Sequence, residues 1–227
     1  MEVHVAATPK AAARSLAVRV EVAARRAMGK RGVFNLALSG GTSASTVMAA
    51  LVDTEIFWGR VNVYQVDERV APDGSVDRNA TALVAELAEQ VGLPEHRLHL
   101  MDVTAGDLDA AARRYAAALP ETLDVVHLGL GTDGHTASWP PGDNAVLASD
   151  ALVAMAGPFN GHLRMTLTPA AINAAGLRLF YVTGADKADV LARLRAGDAA
   201  LPASAVSDDR TAIHTDRAAA GASSAEA

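Results

Sequence analysis

The sequence predicts an α/β fold: a single domain with a mainly parallel, Rossmann-like sheet and helices on both faces. Three observations carry this. Helical stretches alternate with short apolar runs that each end in Gly, Ser, Asp or Pro, which is the pattern of βα units. Half of the 227 residues are apolar while only 4% are aromatic, and alanine is abundant, a composition suited to helices packed closely on a sheet rather than to a β-sandwich. The length supports one sizeable core, and neither a repeat nor a linker-like composition break divides the chain.

In chain order, residues 8–29 read as an amphipathic helix, 33–38 as a buried strand, 42–53 as a helix, 61–66 as a strand and 79–91 as a helix. Residues 107–119 continue as a helix and 124–130 as a strand. Residues 151–156 and 163–167 are shorter strands, 177–183 is a strand, 185–196 a helix, and 211–215 a last short strand. From Ala218 to Ala227 the chain is small, polar and alanine-rich, with little to bury. The expected domain therefore runs over 1–217, followed by a flexible tail at 218–227.

A formal charge of −6 opposes broad attachment to nucleic acid or an anionic membrane. Arg14, Arg19, Arg25, Arg26, Lys30 and Arg31 gather around the first helix, but no aromatic residue interleaves them, so they read as a solvated face and no nucleic-acid partner is expected. With no cysteine, disulfides, thiolate catalysis and Cys-ligated zinc are excluded, and a cytoplasmic location is the expectation. No signal peptide is seen at the N-terminus. Residues 32–52 are uncharged, but Ser39-Gly40-Gly41-Thr42-Ser43 and Ser45-Thr46 interrupt them, so no membrane span is expected.

Chemistry concentrates where strands end, which is where open α/β sheets bind ligands. Ser39-Gly40-Gly41-Thr42 follows an apolar strand and opens a helix. Its glycines allow close backbone approach and its helix-start N–H groups are free donors, so it reads either as an anion seat or as a helix cap with a tight turn. It lacks G-x-S-x-G and the Walker lysine, which removes Ser39 as an elbow nucleophile and disfavours an NTPase. Gly129-Leu130-Gly131-Thr132-Asp133-Gly134 matches G-x-G-x-x-G, yet Pro140-Pro141-Gly142 stops any helix soon after, so a dinucleotide cofactor is not expected.

What that loop offers instead is Asp133 and His135 at a strand's carboxyl end, and histidine suits proton transfer near neutrality. The other six histidines, at 4, 96, 99, 127, 162 and 214, have no comparable setting. Asp67-Glu68-Arg69 ends another strand: Arg69 can fork onto a phosphate, with Asp67 and Glu68 orienting it or binding sugar hydroxyls, or the three form an ordinary exposed ion-pair cluster. Arg164 and Lys187 are further candidate cations that, taken alone, read equally as surface charges.

Taken in order, these segments closely resemble the 6-phosphogluconolactonase family, which is related in fold to glucosamine-6-phosphate deaminases and ribose-5-phosphate isomerase-like proteins. The serine-glycine-glycine loop stands at Ser39 to Thr42, the Asp-Glu-Arg segment at Asp67 to Arg69, and the Asp-Gly-His-Thr-Ala-Ser segment within Gly129 to Ser138. The Arg-x-Thr strand is Arg164 to Thr166 and the Gly-x-x-Lys turn is Gly184 to Lys187. Departures occur at Ser43-Ala44, Arg78-Asn79 and Trp139-Pro140-Pro141, where the family commonly has Thr-Pro, Ser-Asn and Leu-Phe-Pro.

The resemblance implies hydrolysis of 6-phospho-D-glucono-1,5-lactone to 6-phospho-D-gluconate in the oxidative pentose phosphate pathway, without metal or other cofactor. It further implies His135 as acid/base, assisted by Asp133, and a ligand site built from Ser39, Gly40, Gly41, Thr42, Asp67, Glu68, Arg69, Gly131, Gly134, Thr136, Arg164 and Lys187. A monomer or weak homo-oligomer is expected. Deaminases resemble Asp-Gly-His-x-Ala-Phe-Asn-Glu-Pro at this segment and use the glutamate in proton chemistry. Pro140 stands at the glutamate's place here, which favours the lactonase. A sugar-phosphate sensor is the third reading, weakened because a single helix before the first expected strand is too little for a helix-turn-helix module.

Overall fold

In the computed structural model, which describes residues 1–221, a seven-stranded parallel sheet of order β1-β10-β9-β6-β2-β3-β5 carries helices on its faces. Its strands are β1 (Glu2–Ala6), β2 (Phe34–Leu38), β3 (Val61–Gln65), β5 (Leu98–His99), β6 (Val125–Leu128), β9 (Leu177–Val182) and β10 (Thr211–Asp216). A separate antiparallel sheet joins β4 (Asp67–Arg69), β8 (His162–Leu167) and β7 (Val153–Phe159) in the order β4-β8-β7. The helices are α1 (Pro9–Arg31), α2 (Ala44–Val52), α3 (Asn79–Leu83), α4 (Leu108–Ala118), α5 (Asn144–Leu147), α6 (Pro169–Asn173) and α7 (Ala188–Arg195).

Local chemistry explains the principal boundaries. Thr8 caps α1 by accepting from Ala11 N, Pro9 occupies its first turn, and Gly32 ends it in the left-handed conformation at φ +78°, the usual asymmetry of helix starts and stops. β2 is buried at every position, as a central parallel strand between two helical layers must be. One core cluster on its α1/α2 side includes Phe34, Leu36 and Leu38, and a second on the opposite side gathers Val126, Leu128 and Trp139.

Several expectations shift by a few residues, and some change in kind. The second helix begins at Ala44, because residues 41–43 form a turn. Residues 79–91 divide into α3 and a π-helical turn over Val84–Ala88. The stretch 185–196 opens with a 3-10 turn before α7. The edge strand β1 was not expected; it pairs parallel to β10, and its exposed flank leaves only a weak burial pattern. Of the expected tail, Ala219 is 1% exposed and its N–H donates to Asp216 Oδ1 at 2.9 Å, so its small side chain fits into the core, while Ala218 and Gly221 are exposed. The rest of the expected tail, 222–227, lies outside the described residues. No helix among the described residues is long and apolar enough to cross a membrane.

Two buried imidazoles make this fold acid-sensitive. His127 and His214 are 2% and 1% exposed; burial pushes both down to about 4, with His4 and Arg19 adding to the effect at His214. Their folded-state values thus lie below the unfolded value of about 6.5. As pH falls from 6.5 toward 4, the unfolded chain takes up protons that the folded one refuses, and stability falls by on the order of 1 kcal/mol per pH unit for each imidazole. Urea unfolding at pH 7 and pH 5 should show this loss. His127→Leu should remove about half of it and stabilise at pH 7, since neither His127 nitrogen has a partner; an unchanged pH dependence would refute the assignment.

Candidate active site

The sheet order reverses direction between β2 and β6. From β2 the chain moves outward to β3, and from β6 to β9 on the opposite side, which opens a crevice at the strands' carboxyl ends. Ser39 stitches the two strand ends together, its N and Oγ both donating to His127 O. A cavity of about 380 Å³ sits there. It brings together eleven of the residues expected from sequence: Ser39, Gly40, Gly41, Thr42, Asp67, Arg69, Gly131, His135, Thr136, Arg164 and Lys187.

One wall is the start of α2. Ser39 N and Ala44 N are taken by backbone carbonyls, but the N–H groups of Gly40, Gly41, Thr42 and Ser43 make no hydrogen bond among the described residues. Four free donors at a helix N-terminus suit an anion. Gly40 is required by packing: a Cβ there would lie 2.1 Å from Asn79 Oδ1. Lys187, in the 3-10 turn before α7, faces the same cavity beside Asp186, with Nζ 3.9 Å from Asp186 Oδ2.

The opposite wall is the small sheet. Val66 carries the chain from one sheet to the other: its N–H donates to Leu38 O at 3.0 Å and its carbonyl accepts from Leu167 N at 2.8 Å. Beyond it, strand alternation sends Asp67 and Arg69 to the cavity face and Glu68 to the other. Arg69 lies directly opposite Arg164, and Asp67 opposite Thr166. Two cations facing each other repel. Asp67 offsets this only in part, with Oδ2 4.0 Å from Arg164 Nη1, and a bound anion would complete the balance. Burial pushes the Asp67 carboxyl up, against the hydrogen bond from Ser138 Oγ at 2.6 Å and the nearby Arg164 charge.

The candidate proton-transfer group comes from the loop after β6. His135 Nδ1 lies 2.5 Å from Asp133 Oδ1. Burial would raise the Asp133 carboxyl, but its hydrogen bonds with His135 hold it below the usual carboxylate range. An ionised Asp133 accepts from Nδ1–H, leaving the Nε2 lone pair for chemistry. The pair rests on the bare backbone of Gly131, where a Cβ would lie 2.0 Å from His135 Nδ1 and 2.4 Å from Asp133 Oδ1. Thr136 Oγ1 donates to Gly129 O at 2.8 Å and fixes the loop. Among the described residues no group of three or more His, Cys, Asp or Glu could hold a metal ion.

Three expected residues do not line the cavity. Asp133 acts behind His135. Glu68, 0% exposed, turns away from the cavity and accepts from Arg69 N, Asn79 N, Gln65 Nε2 and Ala80 N at 2.7–2.8 Å, with Arg78 Nε at 3.1 Å. Gly134 also stands off the cavity: it turns at φ +88° and leaves room for Leu201, whose Cδ2 would lie 2.6 Å from an added Cβ. Asn79, Ala137 and Asp186 line the cavity but were not expected. Asn79 donates to Asp67 O at 2.9 Å while its buried Oδ1 has no partner; its sequence signals were an Asn opening a helix after the Asp-Glu-Arg segment and its match to the asparagine of the family's Ser-Asn.

A profile of the family described as "Glucosamine-6-phosphate isomerases/6-phosphogluconolactonase" matches residues 7–215. The chain is 35% identical over 207 residues to a 6-phosphogluconolactonase of Rhizobium meliloti, covering 87% of this chain and 89% of that one. It is 40% identical over 181 residues to a 6-phosphogluconolactonase of Mesorhizobium japonicum, covering 76% of each. Among solved structures, a 6-phosphogluconolactonase from Shewanella baltica superposes with a TM-score of 0.86 at 25% identity, over 95% of this chain and 97% of that one. A monomeric glucosamine-6-phosphate deaminase, 18% identical with a TM-score of 0.83 over 98% of this chain and 100% of that one, shares the fold.

Proposed function

The chain belongs to the glucosamine-6-phosphate isomerase/6-phosphogluconolactonase family, and from that premise we propose that it hydrolyses 6-phospho-D-glucono-1,5-lactone to 6-phospho-D-gluconate. The observation that carries this reading is the Asp133–His135 pair set across a small cavity from a helix N-terminus and a lysine. Neutral His135 takes a proton through Nε2 from a water that adds to C1. The tetrahedral intermediate's oxyanion is stabilised by nearby donors, and the imidazolium, stabilised by Asp133, returns the proton to the departing ring oxygen. The phosphate sits on the free N–H groups of Gly40 to Ser43 with Lys187 and Arg69, and Asp67 and Arg164 face the polyhydroxylated part. We place the enzyme in the cytoplasm.

The deaminase reading requires a further proton-transfer carboxylate after the histidine segment. That stretch instead runs into the core: Trp139 is 0% exposed, its Nε1 donates to Leu167 O at 2.8 Å, and Pro140 is buried.

The test follows freshly made phosphogluconolactone, in excess of its spontaneous hydrolysis, in parallel with ammonia release from glucosamine 6-phosphate. Lactone loss without ammonia is expected; ammonia release would transfer the site to the deaminases, and neither activity would favour a sensor. In the same series Lys187→Ala and Arg69→Ala should each weaken 6-phosphogluconate binding roughly 10- to 150-fold, the loss of one charge-assisted contact of about 1.5–3 kcal/mol, and leave gluconate almost unaffected. Equal losses for both ligands in calorimetry would take these cations off the phosphate.

A further inference from the structure

The β7–β8 hairpin ends in Asn160-Gly161, with φ of +49° and +81°, the pair that a two-residue turn with positive φ at both positions demands. The turn sets Phe159 at the hairpin's tip, against the catalytic loop. The Phe159 ring meets the His135 imidazole edge to face, centroids 5.0 Å apart at 74°. The Arg164 guanidinium carbon lies 5.2 Å from the centre of the same ring, and Arg164 Nε donates to Phe159 O at 3.1 Å. A register irregularity between Ala156 and Phe159 re-aims the strand end, as bulges beside active sites do.

His135 makes one side-chain hydrogen bond, to Asp133, and its side chain remains 29% exposed. A single bond at Nδ1 favours the Nδ1–H tautomer only while the ring stays in line with Asp133, and it leaves the ring free to tilt out of that line. Gly131 limits it on one side. We propose that Phe159 is a positioning residue for the lactone hydrolysis, blocking that tilt so that Nε2 stays aimed at the attacking water. The proposal rests on the lactonase reading for its kinetic consequence, but its structural content, the restraint of His135, does not.

An aromatic edge contact is worth about 2- to 12-fold in an equilibrium, so Phe159→Ala should lower kcat by about 3- to 10-fold. KM should change less than twofold, because Asp67 and the backbone carbonyl at position 159 still hold Arg164. Phe159→Tyr should restore kcat to within twofold; Phe159→Leu fills similar space without a ring edge and should not. In parallel, NMR of the His135 ring in the unsubstituted protein should show its carbon-bound protons displaced by the Phe159 ring current and the Nδ1–H tautomer dominant. In Phe159→Ala the displacement should vanish and the Nδ1–H tautomer population should fall. A folded Phe159→Ala with kcat within twofold of normal, or a Leu variant as active as the Tyr variant, overturns the proposal. If the unsubstituted protein lacks lactonase activity, the function fails and the NMR comparison alone decides: an unchanged tautomer population in Phe159→Ala overturns the restraint.

Discussion

His135→Asn is expected to lower kcat for lactone hydrolysis by about 10²–10⁴-fold, the usual contribution of a positioned acid/base. Asparagine is the informative replacement because its Nδ2 can still donate to Asp133, as His135 Nδ1 does at 2.5 Å, so the loop keeps its anchor while the Nε2 lone pair disappears. The phosphate contacts proposed at the start of α2 and at Lys187 lie on other elements and would remain. The loss should therefore fall on kcat while 6-phosphogluconate affinity changes by less than a few-fold, the signature of an interaction used in the transition state. Turnover is read as lactone loss above the spontaneous rate, and affinity by calorimetry. A folded variant with near-normal kcat would remove His135 from the mechanism.

The part of this site that could be read from the sequence is the part held by short-range chemistry. A serine-glycine-glycine turn between a strand and a helix, and an Asp-Gly-His loop after another strand, announce their backbone demands within a few residues. The alternation of elements likewise pointed to a parallel sheet, and a seven-stranded one is present. What escaped depends on contacts distant along the chain. The strands at 151–156 and 163–167 belong to a second, antiparallel sheet because Val66 hands the chain over to Leu167. Nothing within those segments records that partner. The Asn160-Gly161 turn did carry a hairpin signal, but the meeting of Phe159 with His135 is again a contact between distant segments. For β1, Glu-Val-His-Val-Ala alternates polar and apolar residues, but five residues at an edge give a faint pattern.

Glu68 shows how one motif can divide between two roles. Asp67-Glu68-Arg69 looks uniform in sequence, yet a strand turns alternate side chains to opposite faces, and the middle residue points away from the cavity. Its carboxylate closes the start of α3, taking the N–H groups of Asn79 and Ala80, which no helix carbonyl can reach, along with Arg69 N and Gln65 Nε2. It also faces Arg78, whose side chain is 6% exposed. Glu68→Ala would strand these donors and leave that guanidinium with the exposed Asp73 as its one remaining carboxylate and the Ala71 carbonyl beside it. Removing one partner of a buried ion pair costs about 3–5 kcal/mol, a large share of the roughly 5–15 kcal/mol that stabilises an ordinary domain. At about 2–4 °C per kcal/mol for a chain of this size, the melting temperature should fall by about 6–20 °C. A residue that only bound substrate would instead raise KM and leave melting unchanged. Differential scanning calorimetry on the ligand-free protein separates the two, and a Glu68→Ala variant that melts within about 2 °C of the unsubstituted chain would return Glu68 to the ligand.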